Sequence, residues 1–196
     1  MKIGVLAVQG DFEAHGRALA RLGAEPVYVR TAAQLDGLAA LIIPGGESTT
    51  MLKFMEGEGL FEAVRSFAAR HPLLGTCAGA ILMAGEVTRP PQRSLGLMDI
   101  AVERNAYGRQ VDSRIVSIAP TTEFAGRTEN GAQPLEAVFI RAPIIRRVGP
   151  GVAVLLRHHS DPVLVEQGRH LAATFHPELT ADARVHHLLL RKAGEP

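Results

Sequence analysis

Leu73-Leu74-Gly75-Thr76-Cys77-Ala78-Gly79-Ala80-Ile81-Leu82 runs from an apolar segment through a tight turn of small residues into a second apolar segment. The first reads as a short strand entered at Pro72, the second as a helix from Ala80 to about Glu86. A sharp strand-to-helix turn with a nucleophilic residue at its apex has the layout of a nucleophile elbow, here with Cys in place of Ser. Such a turn places Cys77 at the carboxyl end of a sheet strand, where open α/β sheets bind ligands, beside amide N–H groups at the start of a helix. Those groups lower a thiol's pKa and can hold an oxyanion. The pentapeptide Gly75 to Gly79 is equally compatible with a cysteine that only packs in the core.

Working outward, Lys2 to Val8 reads as a strand, Phe12 to Leu22 as a helix with Asp11 at its N-cap, Pro26 to Val29 and Leu41 to Ile43 as further strands. Ser48 can cap a helix from Thr49 to about Glu56, and a second helical stretch covers Leu60 to Ala69. Beyond Asp99 shorter strands are expected at Ile100 to Glu103, Arg114 to Ala119, Ala137 to Ile140, Val152 to Leu156 and Leu171 to Phe175, before a closing helix from Ala181 to Lys192. The strands carry few polar alternations, which implies that they are covered on both faces. The reading is a doubly wound α/β fold with a mostly parallel sheet and an antiparallel portion, in one domain spanning residues 1–196. The stretches Thr88 to Gln92 and Thr128 to Pro134 read as surface excursions, not domain boundaries.

Lys plus Arg (21) and Asp plus Glu (20) nearly cancel without a basic run, so charge favours neither a nucleic acid nor a membrane surface as partner. Cys77 is the only cysteine, which excludes an intramolecular disulfide and a cysteine zinc cage and fits a reducing cytoplasm. Met1 to Val8 lacks the long apolar region of a signal peptide, and no stretch is long and apolar enough to cross a bilayer.

A cysteine nucleophile needs a base, and the base needs an orienting group. His176-Pro177-Glu178 follows an apolar strand and supplies both. In extended backbone, which the residue before a proline favours, residues two apart point the same way. Glu178 can then bind one imidazole nitrogen while the other faces Cys77. Taken alone, His-Pro-Glu is also an ordinary polar turn. His158-His159 and His186-His187 are adjacent pairs whose side chains diverge, so no metal site is expected; His15 and His71 read as surface or helix-end residues.

The segments Ala7 to Asp11, Pro44 to Thr50, Gly75 to Gly79, Val102 to Asn105 with Gly108-Arg109-Gln110, Phe139 to Pro143 and Phe175 to Thr180 together resemble the class I (triad) glutamine amidotransferases, a flavodoxin-like family. Within them the chain is most similar to the glutaminase subunits of pyridoxal 5′-phosphate synthases. The resemblance implies Cys77 as nucleophile, His176 as base and acid, and Glu178 as orienter. It implies glutamine contacts from Gly46, Glu47, Ser48, Arg104, Ile140 and Arg141, and an oxyanion hole from the Gly46 and Ala78 N–H groups. These residue types suit the roles: paired glycines let backbone approach a substrate, and arginine grips a carboxylate with two parallel bonds.

No cofactor is implied. L-glutamine is the expected substrate, and the expected partner is the synthase subunit, which combines ammonia with sugar phosphates to make vitamin B6. Gln9, Gly10 and Asp11 are candidates for sensing its docking. Gly45 to Ser48 lacks a P-loop lysine, so sugar phosphate chemistry is expected on the partner. The chain departs from the family pattern at Arg157 to Asp161, which is His-rich, and around Arg89 to Arg93, where a proline pair sits. The alternatives are the glutaminase of another class I amidotransferase, and a non-catalytic interaction subunit on the same fold.

Overall fold

The computed structural model describes residues 1–57, 59–104 and 114–194. Its first half alternates strand and helix as the apolar spacing predicts. In order come β1 (Lys2–Leu6), α1 (Phe12–Arg21), β2 (Glu25–Val29), a 3-10 turn (Ala32–Leu35), β3 (Ala40–Ile43), α2 (Ser48–Gly57), α3 (Leu60–Ala68), β4 (Leu73–Thr76) and α4 (Ala78–Met83). The second half is richer in strands: β5 (Ala84–Thr88), β6 (Met98–Glu103), β7 (Arg114–Ile118), α5 (Thr122–Ala125), β8 (Leu135–Phe139), β9 (Ile144–Val148), β10 (Ala153–His158), β11 (Asp161–Gln167) and β12 (His170–Ala173). A second 3-10 turn (Pro177–Leu179) and α6 (Arg184–Gly194) come last.

A seven-stranded sheet in the order β10-β11-β12-β4-β3-β1-β2 forms the centre. From β12 to β2 the neighbours run parallel, and β11 and β10 extend one edge antiparallel. The arrangement agrees with the doubly wound, mostly parallel reading. β3 shows why its sequence is apolar throughout: Leu41 and Ile43 join one core cluster, Ala40 and Ile42 the other, and all are fully buried. One face is covered by α2, α3, α4 and a small sheet, β5-β6-β9; the other by α1, α5, α6 and the β7-β8 pair.

Several boundaries differ from the sequence reading. The predicted helix from Ala80 to Glu86 starts at Ala78 and ends at Met83, because Ala84 turns extended (φ −61°, ψ 151°) and Ala84–Thr88 pairs with β6 instead. Asp11 occupies the N-cap position of α1, but its side chain caps nothing. Ser48 lies inside the first turn of α2, and the Glu47 carboxylate does the capping, accepting from the N–H groups of Thr49 (3.2 Å) and Thr50 (2.7 Å). The closing helix begins at Arg184, where Asp182 accepts from the Arg184 N–H at 3.1 Å.

The register between β4 and β12 brings two distant parts of the chain to one place. Thr76 lies level with Ala173, so both strands end at the same sheet edge, one feeding into Cys77 and the other toward His176.

Candidate active site

Cys77 is held by its own backbone: its N–H donates to the Ala173 carbonyl at 2.8 Å, tying the turn to β12. Its φ of 49° and ψ of −104° put a residue with a Cβ in a costly conformation, of the kind that persists where surrounding structure over-determines it. Arg141, at φ 44°, is a second such residue in the same region. The Cys77 thiol is 7% exposed in residue terms and faces the Ile140 carbonyl at 3.9 Å.

His176 is fixed by its N–H donating to the Val138 carbonyl of β8 at 2.8 Å. Its Nδ1 lies 2.7 Å from Glu178 Oε1, as expected, though the backbone differs from the expected one. The segment after His176 is a 3-10 turn opened by Pro177, not an extended strand, and the short turn brings the two side chains together. Burial works against a charge on His176, but hydrogen bonds to Cys77 and Glu178, with their charges, outweigh it and push the ring up to about 10. The imidazole is therefore protonated at neutral pH, with the carboxylate behind it.

A cavity of about 380 Å³ opens at this point. Its lining includes every predicted glutamine contact, namely Gly46, Glu47, Ser48, Arg104, Ile140 and Arg141, together with Cys77 and His176. Gln9, Gly10 and Asp11 line it too. Arg104 is 9% exposed, donates to Thr49 Oγ1 at 2.9 Å and lies 3.5 Å from Glu47 Oε1. Glu47 stays ionised: slight burial raises its pKa, but hydrogen bonds from Thr50 and Thr49 dominate and bring it to about 2. One wall of the cavity thus carries a guanidinium and a carboxylate, and another the thiol and imidazolium.

The loops that build the cavity pack at backbone distance. A Cβ on Gly10 (φ +90°) would lie 1.8 Å from the Gly45 carbonyl, and a Cβ on Gly45 would lie 2.4 Å from His176 Cε1. Gln9 Oε1 accepts from the Glu47 N–H at 2.7 Å, clamping the same loop. Ala78 opens α4, so its N–H is among those with no partner inside the helix.

Three sequence expectations need correction. His15 is not a surface residue; it is fully buried beneath the site and bonded to Thr76 and His186. The rings of His158 and His159 do not diverge, since His159 turns to φ 53° and their centroids are 4.2 Å apart. The excursion from Thr88 to Gln92 is not wholly at the surface, because Gln92 Oε1 accepts from the Ser48 hydroxyl at 3.0 Å. Asn105 and Gly108-Arg109-Gln110 lie outside the described residues. Among the described residues no helix is long and apolar enough to cross a membrane, and no group of His, Cys, Asp and Glu is placed to hold a metal.

A cysteine on a strained turn, an imidazolium–carboxylate pair behind it and a polar cavity in front define a class of amide-cleaving enzyme, and the chain belongs to the SNO glutamine amidotransferase family, whose model matches residues 5–195. Among curated relatives, the pyridoxal 5′-phosphate synthase subunit PdxT of Solibacter usitatus is 62% identical over 97% of this chain and 98% of its own length. The PdxT of Koribacter versatilis is 53% identical over 97% of this chain and 95% of its own. A crystal structure of a glutamine amidotransferase superposes with a TM-score of 0.88 at 47% identity, covering 98% of this chain and 99% of that one.

Proposed function

We propose that this chain is the glutaminase subunit of a pyridoxal 5′-phosphate synthase, a single domain spanning residues 1–196 that acts in the cytoplasm. It hydrolyses L-glutamine to L-glutamate and ammonia and passes the ammonia to a synthase subunit. The observation that carries the proposal is the cavity itself, which places an ion-pairing wall of Arg104 and Glu47 beside the thiol and imidazolium.

In this reading the guanidinium groups of Arg104 and Arg141 take glutamine's α-carboxylate, and Glu47 with Ser48 takes its α-amino end. Gly46 and Ile140 flank the side chain. The Cys77 thiolate attacks the amide carbon, and the developing oxyanion takes hydrogen bonds from the Gly46 and Ala78 N–H groups. The His176 imidazolium, held by Glu178, donates its proton as the C–N bond breaks and ammonia leaves. The neutral imidazole then takes a proton from water, which attacks the thioester; glutamate leaves and the thiolate returns.

Ammonia released into neutral water is mostly ammonium and no longer nucleophilic, which is the chemical reason for a docked partner. The packing of Gly10 on Gly45 and the Gln9–Glu47 bond support a sensing role for Gln9, Gly10 and Asp11, since pressure on that segment reaches the Gly45-Gly46-Glu47 loop directly.

The test is glutamate release from glutamine with and without a pyridoxal phosphate synthase subunit. The wild type is expected to be strongly stimulated and Cys77→Ala to be silent in both conditions. Turnover by Cys77→Ala at the wild-type rate would end the proposal, and Gln9→Ala with full stimulation would end the sensing role.

A further inference from the structure

Glu178 uses one carboxylate oxygen on His176, and the other is buried. Oε1 lies 2.7 Å from His176 Nδ1, and the Glu178 side chain has no exposed surface. Oε2 lies 3.3 Å from Nε2 of His15, whose side chain is likewise fully enclosed; the contact is out of line for a hydrogen bond, and Oε2 is buried without another partner. The same His15 nitrogen is 3.1 Å from the hydroxyl of Thr76, the residue immediately before Cys77. On the far side of the ring, Nδ1 of His15 meets Nε2 of His186 at 3.0 Å.

These distances decide the protons. The negative carboxylate 3.3 Å away favours the tautomer with the hydrogen on His15 Nε2, which the Thr76 hydroxyl accepts at 3.1 Å. Nδ1 is then an acceptor, and the hydrogen between the two rings belongs to His186 Nε2. That leaves His186 Nδ1, which is buried without a partner, as a bare lone pair and not as a stranded donor, the cheaper of the two alternatives. Burial holds both rings below the ordinary histidine pKa, as two adjacent neutral rings require.

We propose that His15 is a positioning residue for the catalytic pair: its Nε2–H, oriented by His186 and bonded to the Thr76 hydroxyl, turns the positive edge of the ring toward the second oxygen of Glu178 and so steadies the carboxylate that aims His176. The inference rests on the triad roles proposed above. His15 touches neither substrate nor thiol and acts through Glu178. It also ties the active-site floor to α1, the helix that comes after Gln9-Gly10-Asp11. A single substitution there would loosen the carboxylate and the end of β4 together, since Thr76 shares the same nitrogen.

The experiment uses the glutaminase bound to its synthase subunit and compares wild type, His15→Leu, His15→Gln and His186→Leu. His15→Leu keeps the volume and removes the donor; kcat is expected to fall about 10- to 100-fold, with KM for glutamine within about twofold of wild type. His15→Gln can place an amide N–H near Nε2 and is expected to recover most of that loss. His186→Leu removes only the group that sets the tautomer, and a smaller loss of kcat is expected. The downfield proton resonance of His176 Nδ1–H, read on resting protein without turnover, is expected to shift in His15→Leu and return in His15→Gln.

A His15→Leu enzyme with wild-type kcat and an unmoved resonance overturns the inference while leaving the triad intact. So does a His15→Gln enzyme no better than His15→Leu. If His15→Leu does not fold, His15→Gln and His186→Leu carry the same comparison. A wild-type complex that released no glutamate would instead defeat the proposed function, a separate outcome.

Discussion

Gly45 runs its backbone directly beneath the His176 ring, and that closeness makes it a sharp probe of the pair. A methyl group at Gly45 would fall 2.4 Å from Cε1 and 3.4 Å from Cys77 Cβ, so the imidazole has to shift relative to Cys77. A displacement on the order of 1 Å costs about 10²-fold in rate when reacting groups must be aligned. Gly45→Ala is therefore expected to lower kcat about 100-fold while thermal stability changes little, which steady-state kinetics beside a melting curve will check. Glu178→Gln attacks the same alignment from the other side: the amide no longer favours an imidazolium, and kcat is expected to fall by roughly 10²–10⁴-fold at near-constant KM. That Cys77, His176 and Glu178 come together was readable from sequence because each lies in a short run whose residue types have a mechanical reason to be neighbours. His15 was not, because its partners Thr76 and His186 are 61 and 171 positions away, and a histidine on an amphipathic helix looks the same whether it faces solvent or the core.

The loop from Arg89 to Arg93 illustrates how an element outside the motifs reaches the substrate. Gln92 accepts from the Ser48 hydroxyl at 3.0 Å and from Thr49 Oγ1 at 3.4 Å, and Thr49 Oγ1 in turn accepts from Arg104. Arg93 anchors the loop on Glu56 (2.7 Å) and Glu62 (3.1 Å) and stacks over Phe61. Removing the Gln92 amide frees Ser48, proposed to hold glutamine's α-amino end, and Thr49, the partner of Arg104, without touching the thiol. Gln92→Ala is accordingly expected to raise KM for glutamine about 2- to 10-fold, the value of its shorter hydrogen bond to Ser48, with kcat nearly unchanged. A fall in kcat at constant KM would show that the loop serves the reacting groups instead. The sequence reading made this stretch a surface excursion because a proline pair marks a turn but says nothing of what the next side chains reach. The same limit hid other elements. β5 continues an apolar run that reads as helix up to Glu86. β11 contains Pro162, which argues against an inner strand, yet it lies between β10 and β12 with Pro162 near its end, where the β10 register shifts. The parallel centre was readable because its strands are buried on both faces.

The buried histidines also set how stability of the whole molecule responds to pH, and two sets pull in opposite directions. His15 and His186 are lowered first by burial, then by crowding with other groups that take up protons: the His186 and His176 rings for the former, Arg21 and the His187 ring for the latter. His170 behaves alike: it is pushed to about 4 mainly by burial, and its Nδ1 accepts from the Leu73 N–H, a bond that needs the neutral ring. Each is neutral in the fold, whereas the unfolded chain takes up a proton near the ordinary 6.5. Their stabilisation is therefore complete above about pH 6.5 and is lost as pH falls, toward about 4 for His170 and His186. For His186 alone, a folded value of about 4 against 6.5 amounts to about 3 kcal/mol over that window. His176 has the opposite sign. Raised to about 10 by Cys77 and Glu178 against the cost of burial, it contributes fully below 6.5 and loses that contribution as pH rises toward 10. The two limbs meet near neutrality, where maximal unfolding free energy is expected. Urea denaturation at about pH 5, 7 and 9 checks both signs, with the value at pH 7 the highest. Replacing His186 by Leu should make the acid limb shallower and leave the alkaline one unchanged, whereas His176→Ala should act chiefly on the alkaline limb. An acid limb as steep in His186→Leu as in the wild type would mean that His186 is not held neutral inside the fold, against the burial of its Nδ1 without an acceptor for an added hydrogen.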